Sequence, residues 1–224
     1  MSGHARSSGP FIAALTAPFI LLALCNGFYL PALERHSLTL FWCVDVLSWV
    51  VLPAGLLLLL FRYGHVRPVD YGFGRPQESG WQFVCWTLWV TLTLSLAFFG
   101  VRQLVLPLFG YPAAVFQFEA MNMEKTGFAA HIAWIYSALS AGFIESIFYI
   151  GLPWLACQRW RSVSPWLFTL VSAFVFASVH WEQGWPVLIA AFAFGLAACT
   201  WFFQRRNLWH IAIAHTLIDL YSFY

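Results

Sequence analysis

Charge is what this sequence has least of. Only 9% of its 224 residues are Asp, Glu, Lys or Arg, against about a quarter in ordinary globular domains. A chain that is 61% hydrophobic cannot supply the polar surface of a soluble fold, which excludes the soluble classes. The net charge of +2 is small and scattered, with no polybasic tail, so nucleic acid is excluded as a partner. Internal repeats and low-complexity tracts are lacking. With them go the paired, Gly/Pro-broken spans that would favour a proton-coupled transporter. Cys25, Cys43, Cys85, Cys157 and Cys199 show no C-x-x-C spacing and read as small apolar side chains. Leu24 directly before Cys25 speaks against a lipoprotein processing site. There is no H-E-x-x-H and no dense cluster of ligands.

What the chain does have is aromatic and aliphatic length. Its 13 Trp and 23 Phe fit a lipid-facing surface with interfacial rings. A span needs about 20 apolar residues, and the stretches 11–33, 38–61, 82–106, 131–157, 164–181, 185–203 and 208–224 qualify or nearly do. The expected fold is an all-α polytopic transmembrane helix bundle of about seven spans. It forms a single membrane domain over 1–224, with variable N-terminal spans and loops in 1–130 and a four-span core in 131–224. The polar start, 1–10, resembles a signal sequence, but the following apolar run is long enough to read as a retained span. Two polar connections are long: 62–80, and 109–130 with Glu119, Glu124 and Lys125, which reads as an interfacial segment.

Positive charge sets an orientation. With the N-terminus inside, the inner segments hold Arg6, Arg62, Arg67, Arg75, Arg159, Arg161, Arg205 and Arg206, and the outer ones Arg35, Arg102 and Lys125. The bias favours N-in and C-out, with a site opening outward.

Glu145 is the carboxylate in the apolar run 132–156. An acid at mid-bilayer costs about 3 kcal/mol or more and usually faces a protein or aqueous interior. A neutralised Glu bonded to a neighbouring helix would satisfy that requirement; so would a general base taking a proton from water. His180 ends a later span, where alone it would read as interfacial. His215 and Asp219 are spaced i, i+4 and share one helix face, so the acid can orient the imidazole. His210 reads as a boundary residue with a chance of a supporting role. A Glu, two His and an Asp are also a chemically reasonable metal set, weighed as the minority alternative to a metal-free, cofactor-free site.

Three separated elements resemble the CAAX protease and bacteriocin-processing (Abi) family of glutamic intramembrane proteases. Its pattern is E-E-x-x-x-R on one span, F-x-x-x-H on the next and H-x-x-x-N/D on the last. Phe176 to His180 and His215 to Asp219 match the second and third. The approach Asn207-Leu208-Trp209-His210-Ile211-Ala212-Ile213-Ala214-His215 is similar too. In the first motif Glu145 matches the leading Glu, but Ser146 and Ile150 stand at the second Glu and the Arg. Those two positions are i, i+4, so losing both leaves no orphan charge in the membrane.

The resemblance implies an integral membrane peptidase in a bacterial inner membrane, with Glu145, His180, His215 and Asp219 catalytic. Its substrate would be a membrane-anchored protein, cut near a C-terminal segment such as a sorting tail. The rival reading is a non-enzymatic immunity or partner-binding protein of the same fold.

Overall fold

The computed structural model describes residues 37–110, 127–159 and 164–222. The first expected span, 11–33, lies outside them with Cys25, Arg6 and Arg35. So do Glu119, Glu124 and Lys125 of the second long connection, and Arg161. Every regular element among the described residues is helical, without a strand. In chain order the helices are α1 (Thr39–Gly64), α2 (Gly80–Phe109), α3 (Phe128–Gln158), α4 (Pro165–Ser178), α5 (Trp185–Arg205) and α6 (Trp209–Ser222).

Four of them, α1, α2, α3 and α5, are long and apolar enough to cross a membrane. Helices α4 and α6 have 14 residues each, about 21 Å at the usual rise, against a hydrocarbon core of about 30 Å. The described residues thus hold four full-length candidate spans and two shorter helices where 164–181 and 208–224 had been read as spans. Apolar side chains such as Leu58, Leu108 and Phe174 point outward at 63%, 77% and 67% exposure, as lipid-facing residues do. The chain is an integral membrane protein.

Local chemistry sets the helix ends. Ser79 Oγ accepts from the Gln82 amide while Gln82 Oε1 accepts from the Ser79 amide, a reciprocal cap that starts α2. Ser164 Oγ accepts from the Leu167 amide, and Pro165 follows at the first helical position of α4. Left-handed residues His65 and Arg206 stop α1 and α5.

The interior is layered around α3 and α6. Over half of the α3 apolar window is buried in protein, against 17% for α2, so α3 is central and α2 faces lipid. Helix α6 packs along α2 and α3, and α5 along α4 and α2. Two glycines permit close crossings. A Cβ at Gly142 would come within 2.6 Å of the Thr216 backbone nitrogen, and one at Gly195 within 2.8 Å of Ala173 Cα. Helix α3 is also interrupted by two wide π turns, Ala141–Glu145 and Ile147–Gly151, with Ser146 between them. At one end of the bundle the α1–α2 loop meets the start of α6, through the Leu208 amide donating to Gly72 O. At the other end Phe109 stacks on Trp185.

Candidate active site

Glu145 closes the first π turn of α3, is buried, and points towards α6. Its Oε2 lies 3.8 Å from His215 Nε2. Asp219, one turn along α6, places Oδ2 3.6 Å from the same nitrogen. Both distances are within ion-pair range and longer than a hydrogen bond. The i, i+4 spacing therefore does bring Asp219 to His215, and it does so at the nitrogen that also faces Glu145.

His180 is held just past the end of α4. Its amide donates to Ala177 O at 2.9 Å, and its Nδ1–H donates to Phe176 O at 3.0 Å. A neutral ring so bonded keeps Nε2 as an acceptor. Phe176 links the two imidazoles, with ring centroids 5.0 Å from His180 and 5.7 Å from His215. Phe194 stacks on Phe176 and lies 4.8 Å from the His215 ring. The aromatic residue of F-x-x-x-H is thus the floor on which both histidines rest.

A cavity about one water molecule in size adjoins the acid. Glu145, Ser146, Ile150, Ser172, Cys199 and His215 contribute to its wall; His180 and Asp219 do not. The two altered family positions are here. Ser146 Oγ donates to Gly142 O, one turn back on its own helix, at 2.6 Å. Ile150 is buried at 5% exposure. Neither leaves an unsatisfied charge behind, in keeping with joint loss of a supporting pair. Ser172 Oγ on α4 donates to Tyr149 O, pinning α4 to the second π turn. Among the described residues no three His, Cys, Asp or Glu side chains group as a metal-binding set.

Two further polar pairs were not anticipated. Asp45, a second carboxylate within a membrane-length helix, accepts from Tyr136 Oη at 2.7 Å and ties α1 to α3. The signal that singled out Glu145, one acid in an apolar run, was present for Asp45 as well. Near the start of α6, His210 Nε2 lies 2.7 Å from Glu78 Oε1, and His210 Nδ1 lies 2.9 Å from Thr87 Oγ1. Nothing in the sequence signals this pair, since Glu78 sits in a polar loop where an acid is ordinary.

No curated protein and no solved structure matches the chain. Residues 127–221, which run from the start of α3 into α6 and carry Glu145, His180, His215 and Asp219, match the family model described as Type II CAAX prenyl endopeptidase Rce1-like, so the motif resemblance and the family match coincide over the site.

Proposed function

We propose that the protein is an intramembrane glutamic-type endopeptidase that hydrolyses a peptide bond near the C-terminal, membrane-associated segment of an anchored substrate. The observation that carries this reading is the convergence of Glu145 and Asp219 on His215 Nε2 beside a water-sized cavity. In the proposed reaction Glu145 takes a proton from water as the oxygen attacks the scissile carbonyl carbon. His180 Nε2 accepts from the same water and aims it. His215 donates to the oxyanion, and Asp219 fixes the rotation of that ring. The intermediate then collapses as Glu145 returns its proton to the leaving amine, which balances the hydrolysis.

Geometry adds one requirement. Two carboxylates facing one imidazole nitrogen in a buried site repel each other unless a proton is shared among them. Such sharing is compatible with a base that cycles its proton within one turnover.

The replacement of the family's Glu and Arg by Ser146 and Ile150 favours a second reading, a partner-binding protein of the same fold. One experiment separates them. Purified protein in nanodiscs is incubated with two probes, a prenylated C-terminal tetrapeptide and a transmembrane peptide with a basic C-terminal end, and products are read by mass spectrometry. Cleavage is expected with at least one probe, and Glu145→Gln should lower it by about three decades or more. Turnover by Glu145→Gln within tenfold of the parent would overturn the mechanism, and absence of cleavage of both probes would select the partner-binding reading.

A further inference from the structure

The loop between α1 and α2 is folded back onto the first turn of α6 at three points. Gly72 O accepts from the Leu208 amide at 2.8 Å. Phe73 sits between Trp209 and Phe143, with centroids at 4.7 and 6.2 Å. Glu78 reaches His210, whose side chain is 5% exposed. From the other side α2 supplies Thr87 to Nδ1 and the Phe83 ring at 4.6 Å.

Both ring nitrogens of His210 are therefore held: Nε2 by the Glu78 carboxylate at 2.7 Å, and Nδ1 by the Thr87 hydroxyl, which also lies 2.8 Å from Phe83 O. A carboxylate only accepts, so His210 Nε2–H donates to Glu78.

We propose that Glu78 and His210, the latter held between Glu78 and Thr87, are positioning residues that hold α6 at the depth and rotation required by His215 and Asp219. The proposal rests on the protease reading only for its effect on turnover. His210 lies five residues before His215, about 140° around the helix, so the clamp grips α6 from behind the site. A helix of 14 residues needs such a grip: a slip of one residue would move His215 by about 1.5 Å and 100°. The contact to Glu78 is made by a carboxylate and is stronger than a neutral hydrogen bond.

Among the described residues the charged groups facing His210 are Glu78 from the loop and Arg205 from α5, which lines the adjoining cavity with its guanidinium over Trp86. The neighbours from α2 and the α5–α6 turn, Trp86, Val90 and Asn207, are uncharged. Burial pushes the Glu78 carboxyl up, but its own amide, the Gln77 amide and the His210 hydrogen bond and charge together hold it below its ordinary value. The Glu78 contribution is therefore present above the ordinary glutamate value and lost only as pH falls through the lower folded one.

Hydrogen exchange of segments 65–80 and 208–212, corrected for intrinsic rates and followed in nanodiscs, reads the clamp without reference to turnover. Glu78→Gln should speed exchange of both segments about tenfold or more, the worth of one charge-assisted hydrogen bond. Glu78→Asp, which keeps the carboxylate, should restore part of the protection. Thr87→Val, which removes the partner of Nδ1, should speed exchange of 208–212 and serves as the second arm if Glu78→Gln does not fold. Gln77→Ala is the control. Parental exchange in Glu78→Gln, or no recovery in Glu78→Asp, would overturn the proposal. Exchange that responds as expected in a protein that cleaves neither probe would uphold the clamp and overturn the protease reading alone.

Discussion

Glu145, His215 and Asp219 were legible as candidates because ionisable groups in apolar runs are costly, and the two acids do meet at one His215 nitrogen. His180 drew its weight from that company, and Phe176 is what links it to His215. Asp45 met the same criterion but belongs to no motif, and only its bond to Tyr136 gives it a place. The Glu78–His210 contact joins residues 132 positions apart, and spacing along a chain cannot reveal such a pair. Asp219 now has a sharper test than its motif allowed. If it donates while protonated, Asp219→Asn keeps a donor 3.6 Å from His215 Nε2. Cleavage should then stay within roughly 100-fold of the parent, the worth of one supporting hydrogen bond to a charged group. If Asp219→Asn and Asp219→Glu are both inactive while well folded by melting and exchange, a carboxylate in this geometry is obligatory and the proton-taking role passes to the His215–Asp219 pair.

At the scale of elements, the apolar runs 38–61, 82–106, 131–157 and 185–203 each became a long helix, because length and hydropathy alone decide membrane helices. The brevity of α4 was not legible. Val179 and Trp181 extend the apolar run past Ser178, while the backbone has already turned at His180 to present its ring. Nor were the π turns of α3, since a period of 3.6 residues gives no sign of an i→i+5 turn. They explain why Glu145, Ser146 and Ile150 all reach one cavity, which three such positions on a straight α-helix would not share. Gly142 is the one residue there whose identity announces a constraint. Gly142→Ala would drive a Cβ into the Thr216 backbone at 2.6 and 2.8 Å, and backbone does not yield cheaply. The expected outcome is a loss of about 1–3 kcal/mol, seen as a lower melting temperature, with a fall in cleavage because α3 and α6 hold Glu145 and His215 3.8 Å apart. An unchanged melting temperature and full activity would show that the crossing is slack.

Viewed whole, the bundle has one end marked by cations on rings: Arg205 over Trp86 and Arg206 over Trp154, each at 3.7 Å. Such pairs suit the headgroup level of a bilayer, and the Arg-rich α1–α2 loop lies at the same end. A reporter after Tyr224 should therefore face the outer side, and one inserted beside Arg75 the inner side. The reverse pattern would turn the His180 end towards the cytoplasm and change the substrates within reach. The small cavity at Glu145 has a further consequence for the proposed peptidase in a membrane crowded with other helices. That space, about one water wide, cannot itself hold a peptide, so under the proposed reading hydrolysis would begin from a conformer in which it is opened. If about 1% of molecules are open, every substrate binds about 100-fold more weakly than its contacts warrant. A cognate tail can offset that factor by stabilising the open conformer, whereas a passing helix that binds both conformers alike cannot. Under that reading discrimination would be set before any bond is polarised, by the work of opening the site.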